Sequence, residues 1–302
     1  MTSPESRATG TLLGLAVADA LGGAVEFRPR HDLDRAFPDG VREITGGGPH
    51  RLEPGEYTDD THMALAIARA ASGDGFDLDQ VAVNFVAWYL PGPKDIGIAT
   101  ANALRLIASG VPWQEAGERL QAQSASGVAG NGTVMRCAPI ALRHPHDRAA
   151  RESASIAISH MTHADPRATW GAVALNNGIA HLLTGGNRDD LIVASVEGIP
   201  DPRVVDAIVG ASSMTRDEVR SGGYVLDTLG AAYWSVLTTI DAEEAIVTAV
   251  SLGDDADTTG AVAGAIAGAM YGEEALPSRW LQVLQDRDEI RVLALQLHAW
   301  GN

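Results

Sequence analysis

Residues 253–272 read GDDADTTGAVAGAIAGAMYG, and this stretch decides the fold class. Its second half is apolar over a helical length, and Gly260, Gly264 and Gly268 recur every fourth residue, along one side of a helix. Each glycine in a helix interior costs up to about 1 kcal/mol relative to alanine. The compensation that we expect is close approach of a neighbouring backbone, which predicts a central helix over residues 258–270.

Apolar residues at helical spacing continue outward from this stretch along the chain. Leu13, Val17 and Leu21 recur at intervals of four, as do Met63 and Ile67. Gly or Pro separates most of these stretches, and no run alternates convincingly as a strand would. The sequence therefore predicts an all-α fold with further helices near residues 134–142, 167–183, 204–212, 225–237 and 242–252, and two more after residue 277.

Length and composition favour one globular domain. The 302 residues are 45% hydrophobic, enough for a large core. No linker, low-complexity tract or solenoid repeat interrupts the chain. We therefore expect a single domain over residues 1–302, and a monomer because the sequence shows no obvious exposed apolar stripe.

The net charge indicates whether the protein binds nucleic acids or cations. Lys and Arg number 22 against 39 Asp and Glu, a net charge of -17, and Lys94 is the only lysine. Such a balance repels the phosphate backbone of nucleic acids, and the arginines are scattered rather than clustered. Nucleic-acid binding is therefore not expected, whereas an acidic pocket suits cations.

The N-terminal residues, the apolar runs and the cysteine count indicate the cellular compartment. Residues 1–7 lack the basic start and apolar stretch of a secretion signal, and the weakly polar run 261–271 is too short to span a bilayer. The lone Cys137 excludes an internal disulfide and is expected to be a small buried residue. The sequence predicts a cytoplasmic protein without a membrane segment.

Two clusters of aspartates stand directly ahead of apolar helices. Asp59 and Asp60 precede the helix near Met63, and Asp255 and Asp257 precede the central helix. One aspartate at such a position is explained by helix capping and by the positive end of the helix dipole. A cap needs only one carboxylate, however, and crowding several costs Coulomb repulsion that a cation removes.

The donor types indicate which cation would bind. Oxygen ligands without a second cysteine or an obvious histidine pair favour hard ions such as Mg²⁺ or Mn²⁺ over zinc. If the two helix starts meet in space, their carboxylates would hold two ions a few ångströms apart, as two-metal hydrolases do. The spacing leaves both the capping and the metal-binding interpretations open.

Seven short segments lie along nearly the whole chain, and each of them alone is only a weak indicator of a protein family. They are LGLAVADALG at 13–22 followed by EF at 26–27, YTDDT at 57–61, KDIG at 94–97, GNGTVMR at 130–136, THADP at 162–166, GGYVLDTL at 222–229 and GDDADTTG at 253–260. Together and in this order they resemble the signatures of the ADP-ribosylglycohydrolase family.

The resemblance has departures. The family usually has Gly where this chain has Ala18, and often has Gly and Thr where this chain has Asp254 and Ala256. The ligand positions are intact, so metal binding is still expected, with Asp254 as a modifier of the site. The KDIG segment and Tyr224 look most like the bacterial branch that includes dinitrogenase reductase-activating glycohydrolase, which implies ADP-ribosyl-arginine as the substrate.

For the metal centre, the resemblance implies an orthogonal helical bundle with two Mg²⁺ or Mn²⁺ ions at converging helix N-termini. The ions would hold the hydroxyls of the distal ribose and polarise a bound water or the sugar oxygens. Asp95 would be the acid or base near the glycosidic bond, and Glu26 would lie near the entrance. The implied ligands are Thr58, Asp59, Asp60, Asp255, Asp257 and Thr258, and the implied catalytic residues are Asp95, Asp59, Asp60 and Glu26.

For the nucleotide, the Gly-rich segment 126–133 leads into a helix and could hold the diphosphate through backbone N–H groups. The resemblance implies that His163 bonds phosphate or ribose and that Tyr224 stacks on adenine. Each of these roles has a structural alternative. Asp95 could cap the helix that begins near Ile98, His163 could be a structural histidine, and Tyr224 could be a core tyrosine. The implied substrate-binding residues are Asn131, Gly132, Thr133, Val134, Met135, His163 and Tyr224.

The predicted function is metal-dependent hydrolysis of the glycosidic bond between ADP-ribose and a modified protein side chain. Arginine is the preferred candidate for that side chain. The alternative substrates are serine-linked or polymeric ADP-ribose, O-acetyl-ADP-ribose, or another nucleotide or phosphoester. A catalytically silent ADP-ribose-binding relative is the alternative without catalysis. The expected partner is an ADP-ribosylated protein or a small ADP-ribose conjugate.

Overall fold

The computed structural model describes residues 2–301, so the two end residues of the predicted 1–302 domain lie outside the described range. Within that range the protein is built almost entirely of helices, which confirms the all-α prediction. The helices are α1 (Pro4–Gly22), α2 (Arg30–Ala36), α3 (Asp59–Ala68), α4 (Leu78–Tyr89), α5 (Ile98–Ala108), α6 (Trp113–Gln123), α7 (Ala138–Arg143), α8 (Arg148–His160), α9 (Pro166–Leu183), α10 (Leu191–Val196), α11 (Pro202–Ala211), α12 (Val225–Thr238), α13 (Ala242–Val250), α14 (Ala256–Tyr271), α15 (Ser278–Val283) and α16 (Arg287–Gly301), with a 3₁₀ turn at Glu273–Ala275.

A small hairpin departs from the prediction of no strands. Strand β1 (Ala71–Ser72) pairs antiparallel with β2 (Gly75–Phe76) between α3 and α4. Two residues per strand are too few to show alternation in the sequence. Gly75 has a φ of +127°, a conformation that glycine tolerates, and this closes the turn.

One predicted helix is shorter than its apolar pattern indicates. Residues 134–142 were expected to be helical, but α7 begins at Ala138. The preceding residues form turns in which the amides of Val134 and Met135 both donate to the Asn131 carbonyl. Pro139 lies in the first turn of α7, where its missing N–H costs nothing, so it favours a helix start at this point.

Helices α1 and α14 form the most extensive helix pair in the described chain, and α14 is buried along nearly its whole length. Gly10 and Gly14 of α1 face Gly268 and Gly264 of α14 so closely that a Cβ on any of the four would overlap the opposing backbone. The backbones therefore touch, as the glycine spacing predicts. A cluster of buried hydrophobic side chains surrounds this pair and extends from Ala8 to Leu297.

Gly268→Ala is expected to destabilise the protein by about 3 kcal/mol, because the new Cβ would overlap the Gly10 carbonyl and force the helices apart. Gly210→Ala in α11 is the matched control. The nearest atom to a Cβ there, Met214 Cε, lies 3.7 Å away, so the usual helical preference for alanine should add up to about 1 kcal/mol. Urea unfolding measures both, and equal stabilities would contradict the close-contact account.

Two further sequence predictions concern single features. Cys137 is a free, buried cysteine, as predicted. In the described residues, no helix has the length and apolar character needed to cross a bilayer.

Candidate metal and nucleotide site

The N-terminal ends of α3 and α14 meet at the side chain of Asp60. Its Oδ2 lies 3.3 Å from the hydroxyl of Thr58, at the start of α3, and 3.3 Å from the hydroxyl of Thr258, in the first turn of α14. Gly22, the last residue of α1, lies against the same turn, since a Cβ there would come within 2.5 Å of the backbone of Asp257. The two aspartate clusters, far apart in sequence, therefore form one site.

Asp19 of α1 holds the start of α3 in place. Its Oδ1 accepts from the amide and hydroxyl of Thr58, both at 2.9 Å, and its Oδ2 accepts from the amide of Thr61 at 3.0 Å and its hydroxyl at 2.5 Å. Burial raises the pKa of Asp19 to about 6, although the four hydrogen bonds act to lower it. Another helix thus supplies the caps for α3.

The capping alternative for the aspartate clusters therefore fails. The N-cap residues of α3 and α14 are Thr58 and Asp255, and neither makes a side-chain capping bond. Asp19 belongs to the segment 13–22, but no role was predicted for it from sequence. The signal that could have identified Asp19 is an acidic residue inside the apolar, buried part of a helix.

Two carboxylate oxygens inside the site lack any partner in the described chain. Oδ1 of Asp60 and Oδ1 of Asp257 are buried without a hydrogen bond. Burial, followed by the charges of neighbouring carboxylates, raises the pKa values of Asp59, Asp60 and Asp257 well above their ordinary range. A divalent cation would supply the missing partner and remove the repulsion, so these residues fit a hard metal ion.

Glu26 extends the acidic group at the cavity side. Carboxylate oxygens of Glu26, Asp255 and Asp257 lie within 4.8 Å of one another, close enough to share an ion. Burial and the charges of the surrounding aspartates raise the pKa of Glu26 to about 9.

His50, which the sequence analysis did not single out, joins Glu26 to the loop of Asp95. Its Nε2 lies 2.7 Å from Glu26 Oε2 and 3.5 Å from Asp95 Oδ1, and its Nδ1 lies 3.2 Å from the Lys94 carbonyl. It lies in the long segment between α2 and α3, so only the tertiary fold brings it here. No local pattern marks it in the sequence.

Asp95 does not cap α5. The N-cap position belongs to Gly97, and no side chain bonds there. Burial raises the pKa of Asp95 and the nearby His50 opposes the rise, while the Gly97 amide donates to Asp59 Oδ2 at 3.3 Å. The loop thus brings the Asp95 carboxyl to the carboxylates of α3, and the structural alternative for Asp95 is wrong.

The side of the site that the sequence predicts to bind the nucleotide is built by pairing segment 129–131 with segment 223–225. The Asn131 amide donates to the Gly223 carbonyl and the Val225 amide to the Ala129 carbonyl, both at 3.1 Å. The Asn131 side chain donates to Asp255 Oδ2 at 2.9 Å and to Thr228 Oγ1 at 3.0 Å. Asn131 therefore orients a carboxylate of the second cluster.

A cavity of about 340 Å³ opens over these groups. Thr58 and Asp60 lie beneath it, at most 2% exposed. The sequence-predicted residues that line it are Glu26, Asp59, Asp95, Asn131, Gly132, Met135, His163, Asp255, Asp257 and Thr258.

Three predicted substrate-binding residues lie outside that lining. Thr133 is buried and donates its hydroxyl to the Ala168 carbonyl at 2.8 Å, and Val134 is buried in the core. Of these two, only the backbone could reach a ligand. Tyr224 is 37% exposed beside the cavity wall, with the Arg167 guanidinium 5.6 Å from its ring centroid, so it is not a core tyrosine.

The sequence model of the family described as ADP-ribosylglycohydrolase matches residues 1–301. The chain belongs to the ADP-ribosylglycohydrolase family. This membership confirms the resemblance read from the seven segments and the enzyme class that it implies.

Curated relatives of this ADP-ribosylglycohydrolase cover nearly the whole chain. It is 37% identical over 301 residues to ADP-ribosylarginine hydrolase Tri1 of Pseudomonas putida, covering 96% of this chain and 77% of the relative. It is 33% identical to ADP-ribosyl-[dinitrogen reductase] glycohydrolase of Rhodospirillum rubrum, covering 96% and 94%. A solved structure titled ADP-ribosylglycohydrolase-related protein complex matches with a TM-score of 0.84 and 35% identity, covering all of both chains.

The departure at Asp254 has a backbone explanation in this ADP-ribosylglycohydrolase. Asp254 has a φ of +54°, in the left-handed region, which suits the glycine that the family often has there and which aspartate also tolerates. Its carbonyl accepts from the Phe27 amide at 2.6 Å and its amide donates to the Arg28 carbonyl at 2.9 Å. Its side chain is exposed, so it contributes to the site through the backbone that holds the segment after Glu26.

Proposed function

We propose that this ADP-ribosylglycohydrolase releases ADP-ribose from arginine side chains of modified proteins, using two divalent cations, Mg²⁺ or Mn²⁺. The observation that carries the metal dependence is the pair of buried, unpartnered oxygens on Asp60 and Asp257, each from a different helix start. The arginine linkage is supported by the relatives, one named for ADP-ribosylarginine and one for modified dinitrogen reductase. A cytoplasmic location and a monomer remain predictions from sequence.

The metal ligands in this proposal are Asp59, Asp60, Asp255 and Asp257 with the hydroxyls of Thr58 and Thr258. The bound ions supply Lewis-acid polarisation and a template for the distal ribose. The protein supplies the geometry from outside the ligand set, since Asp19 holds the start of α3 and Asn131 orients Asp255.

Proton transfer falls to Asp95 and Glu26. Both side chains line the cavity, and burial raises the pKa of each above its ordinary value. In the proposal Asp95 protonates the leaving nitrogen of the guanidinium and Glu26 takes the proton of the attacking water. His50 contacts both carboxyls and holds them in this relative position.

A second cavity of about 270 Å³ shares the walls Asp59 and Asp95 with the first and fits the leaving side chain. Trp88 contributes an aromatic wall and Glu56 an acidic one. The Lys94 ammonium lies 2.7 Å from Glu56 Oε2, so in this proposal an incoming guanidinium shares or replaces that ion pair. A guanidinium on an aliphatic stem matches this combination of aromatic surface and carboxylate.

The deciding experiment measures free ADP-ribose released from ADP-ribosyl-arginine, ADP-ribosyl-serine peptide and poly-ADP-ribose, each with Mg²⁺, with Mn²⁺ and with a chelator. Release from the arginine conjugate, lost on chelation, is expected. Preferential release from another conjugate would show that the enzyme cleaves that linkage rather than the arginine linkage. No release by folded, metal-loaded protein would favour another nucleotide substrate or a silent scaffold.

Asp95→Asn should lower kcat by about two to four powers of ten, because the amide cannot exchange a proton. The unfolding temperature of the metal-free variant should not fall, because Asp95 caps no helix and the substitution removes one acidic group from a buried cluster. Asp77→Ala is the reciprocal control. Asp77 caps α4 by accepting from the Gln80 amide at 3.0 Å, so its loss should cost about 1 kcal/mol of stability and leave kcat unchanged. An active Asp95→Asn enzyme would remove Asp95 from the chemistry.

Glu56→Gln should raise KM for an ADP-ribosyl-arginine peptide about tenfold, because a charged hydrogen bond to the guanidinium is lost. The affinity for free ADP-ribose, which carries no arginine, should stay the same. Glu53→Gln, an exposed neighbour in the same loop, is the matched control. Equal KM values for both variants would show that the second cavity does not receive arginine.

A further inference from the structure

A fully buried arginine lies beneath the nucleotide side of the cavity. Arg136 is 0% exposed, and within residues 2–301 its hydrogen-bond partners include no carboxylate. Its guanidinium donates to the Thr162 hydroxyl at 2.7 Å and to the Ile158 carbonyl at 3.3 Å, and it lies 4.9 Å from the Phe85 ring centroid. Its Nε has no partner. Burying a charge in this way is costly, so the arginine requires an explanation beyond packing.

The contacts of Arg136 determine the hydrogen-bond direction at Thr162. A guanidinium can only donate, so the Thr162 oxygen accepts from it. The same oxygen lies 2.8 Å from Nδ1 of His163, and it has no third side-chain or backbone partner in the described chain. If Nδ1 carried a proton, two donors would face one oxygen and the hydroxyl proton would have no acceptor. The hydroxyl therefore donates to Nδ1, and the ring proton belongs on Nε2.

The other ring nitrogen of His163 faces the cavity. His163 lines the cavity wall, and its Nε2 has no hydrogen-bond partner within residues 2–301. A Cβ on Gly130 would lie 3.2 Å from that nitrogen, and one on Gly132 would lie 2.7 Å from the neighbouring Cε1, so only glycines leave the ring accessible. Burial lowers the pKa of His163 to about 3, which keeps the ring neutral.

We propose that Arg136 and Thr162 are positioning residues that fix His163 as an Nε2–H donor to an oxygen of bound ADP-ribose. The identity of that ligand rests on the proposed function, whereas the tautomer rests on the buried contacts alone. The arrangement presents a donor whose charge does not change between pH 5 and 8. It also assigns a role to the buried guanidinium, which polarises the Thr162 hydroxyl toward Nδ1.

The tautomer is tested directly by ¹⁵N NMR of the full chain with histidine-labelled protein. His163→Gln identifies the signal by its loss among the nine histidines. The expected wild-type spectrum shows a protonated Nε2 and a bare Nδ1 between pH 5 and 8. A protonated Nδ1 in the wild type overturns the proposal, whatever any variant does.

The positioning role is tested by a pair of substitutions, Thr162→Val and Thr162→Ser. Thr162→Val should weaken the binding of ADP-ribose, measured by calorimetry with Mn²⁺ present, about tenfold and mix the two tautomers of His163. Thr162→Ser keeps the hydroxyl and should restore both the affinity and the tautomer. Wild-type affinity and tautomer in Thr162→Val contradict the role. A wild type that binds no ADP-ribose overturns the ligand and the proposed function together, while the NMR spectrum still decides the tautomer.

Discussion

Asp60→Asn is expected to lower turnover by at least about three powers of ten while the metal-free protein becomes more stable, by about 1–2 kcal/mol. The catalytic loss follows because metal polarisation contributes several kcal/mol and Asp60 stands between the two helix starts. The gain in stability follows because the substitution removes an acidic group from a buried cluster of like charges that only a cation can balance.

Asp254→Asn provides the matched control for this prediction. Asp254 lies in the same acidic segment, but its side chain is exposed, and asparagine tolerates its left-handed backbone. Activity and stability should both stay close to those of the wild type. The measurements are ADP-ribose release and thermal unfolding with and without Mn²⁺. An Asp60→Asn protein that turns over normally would remove Asp60 from the metal site.

Above about pH 7, where the histidines with lowered pKa values are largely neutral in both states, the metal-free protein should lose stability as the pH rises to about 9. This is opposite to the usual behaviour of paired carboxylates. Burial holds the pKa values of Asp59, Asp60 and Asp257 well above their ordinary range, that of Glu26 at about 9 and that of Asp19 at about 6. The unfolded chain releases these protons near pH 4, whereas the folded chain retains them. Between these values the folded state binds more protons, so stability falls with pH.

The size and the reversal of this trend can both be measured. For Asp19 alone, a pKa of about 6 instead of 3.8 corresponds to roughly 3 kcal/mol. Carboxyls with lowered pKa values, such as Asp165 beside Arg167, stabilise the folded protein. That contribution is lost only below about pH 4, outside this window. Saturating Mn²⁺ should reverse the slope, because ligands must lose protons to bind metal. Urea unfolding at pH 7, 8 and 9 tests this, and stability that rises over this range in chelator would contradict a buried, uncompensated cluster.

Features set by neighbours in the chain were predictable from sequence. The glycine spacing indicated the close contact of α14, and the two aspartate clusters indicated a cation site, because helix periodicity and local charge are read directly from residue order. The start of α7 was misplaced because turns at Asn131 compete with an apolar pattern that suits a helix equally well.

Features set by contacts between distant segments were not predictable. His50 meets Glu26 across an irregular loop, and the role of Asp19 depends on a neighbouring helix whose position no single motif specifies. Arg136 was quoted only as part of a family signature, since nothing in residue order shows that a guanidinium is buried without a carboxylate. Thr133 and Val134 turn inward because the segment is a series of turns rather than a helix.

The glycine contact between α1 and α14 also limits how this enzyme can change over evolution. With no side chain between the two backbones, there is no layer that could yield when either helix shifts along its axis. Any sliding of α1 would therefore move Asp19 by the same amount relative to Asp257, and the two aspartate clusters would shift apart with it. New substrate preferences should consequently arise in the loops around residues 50, 94 and 224, while the helix pair stays nearly invariant.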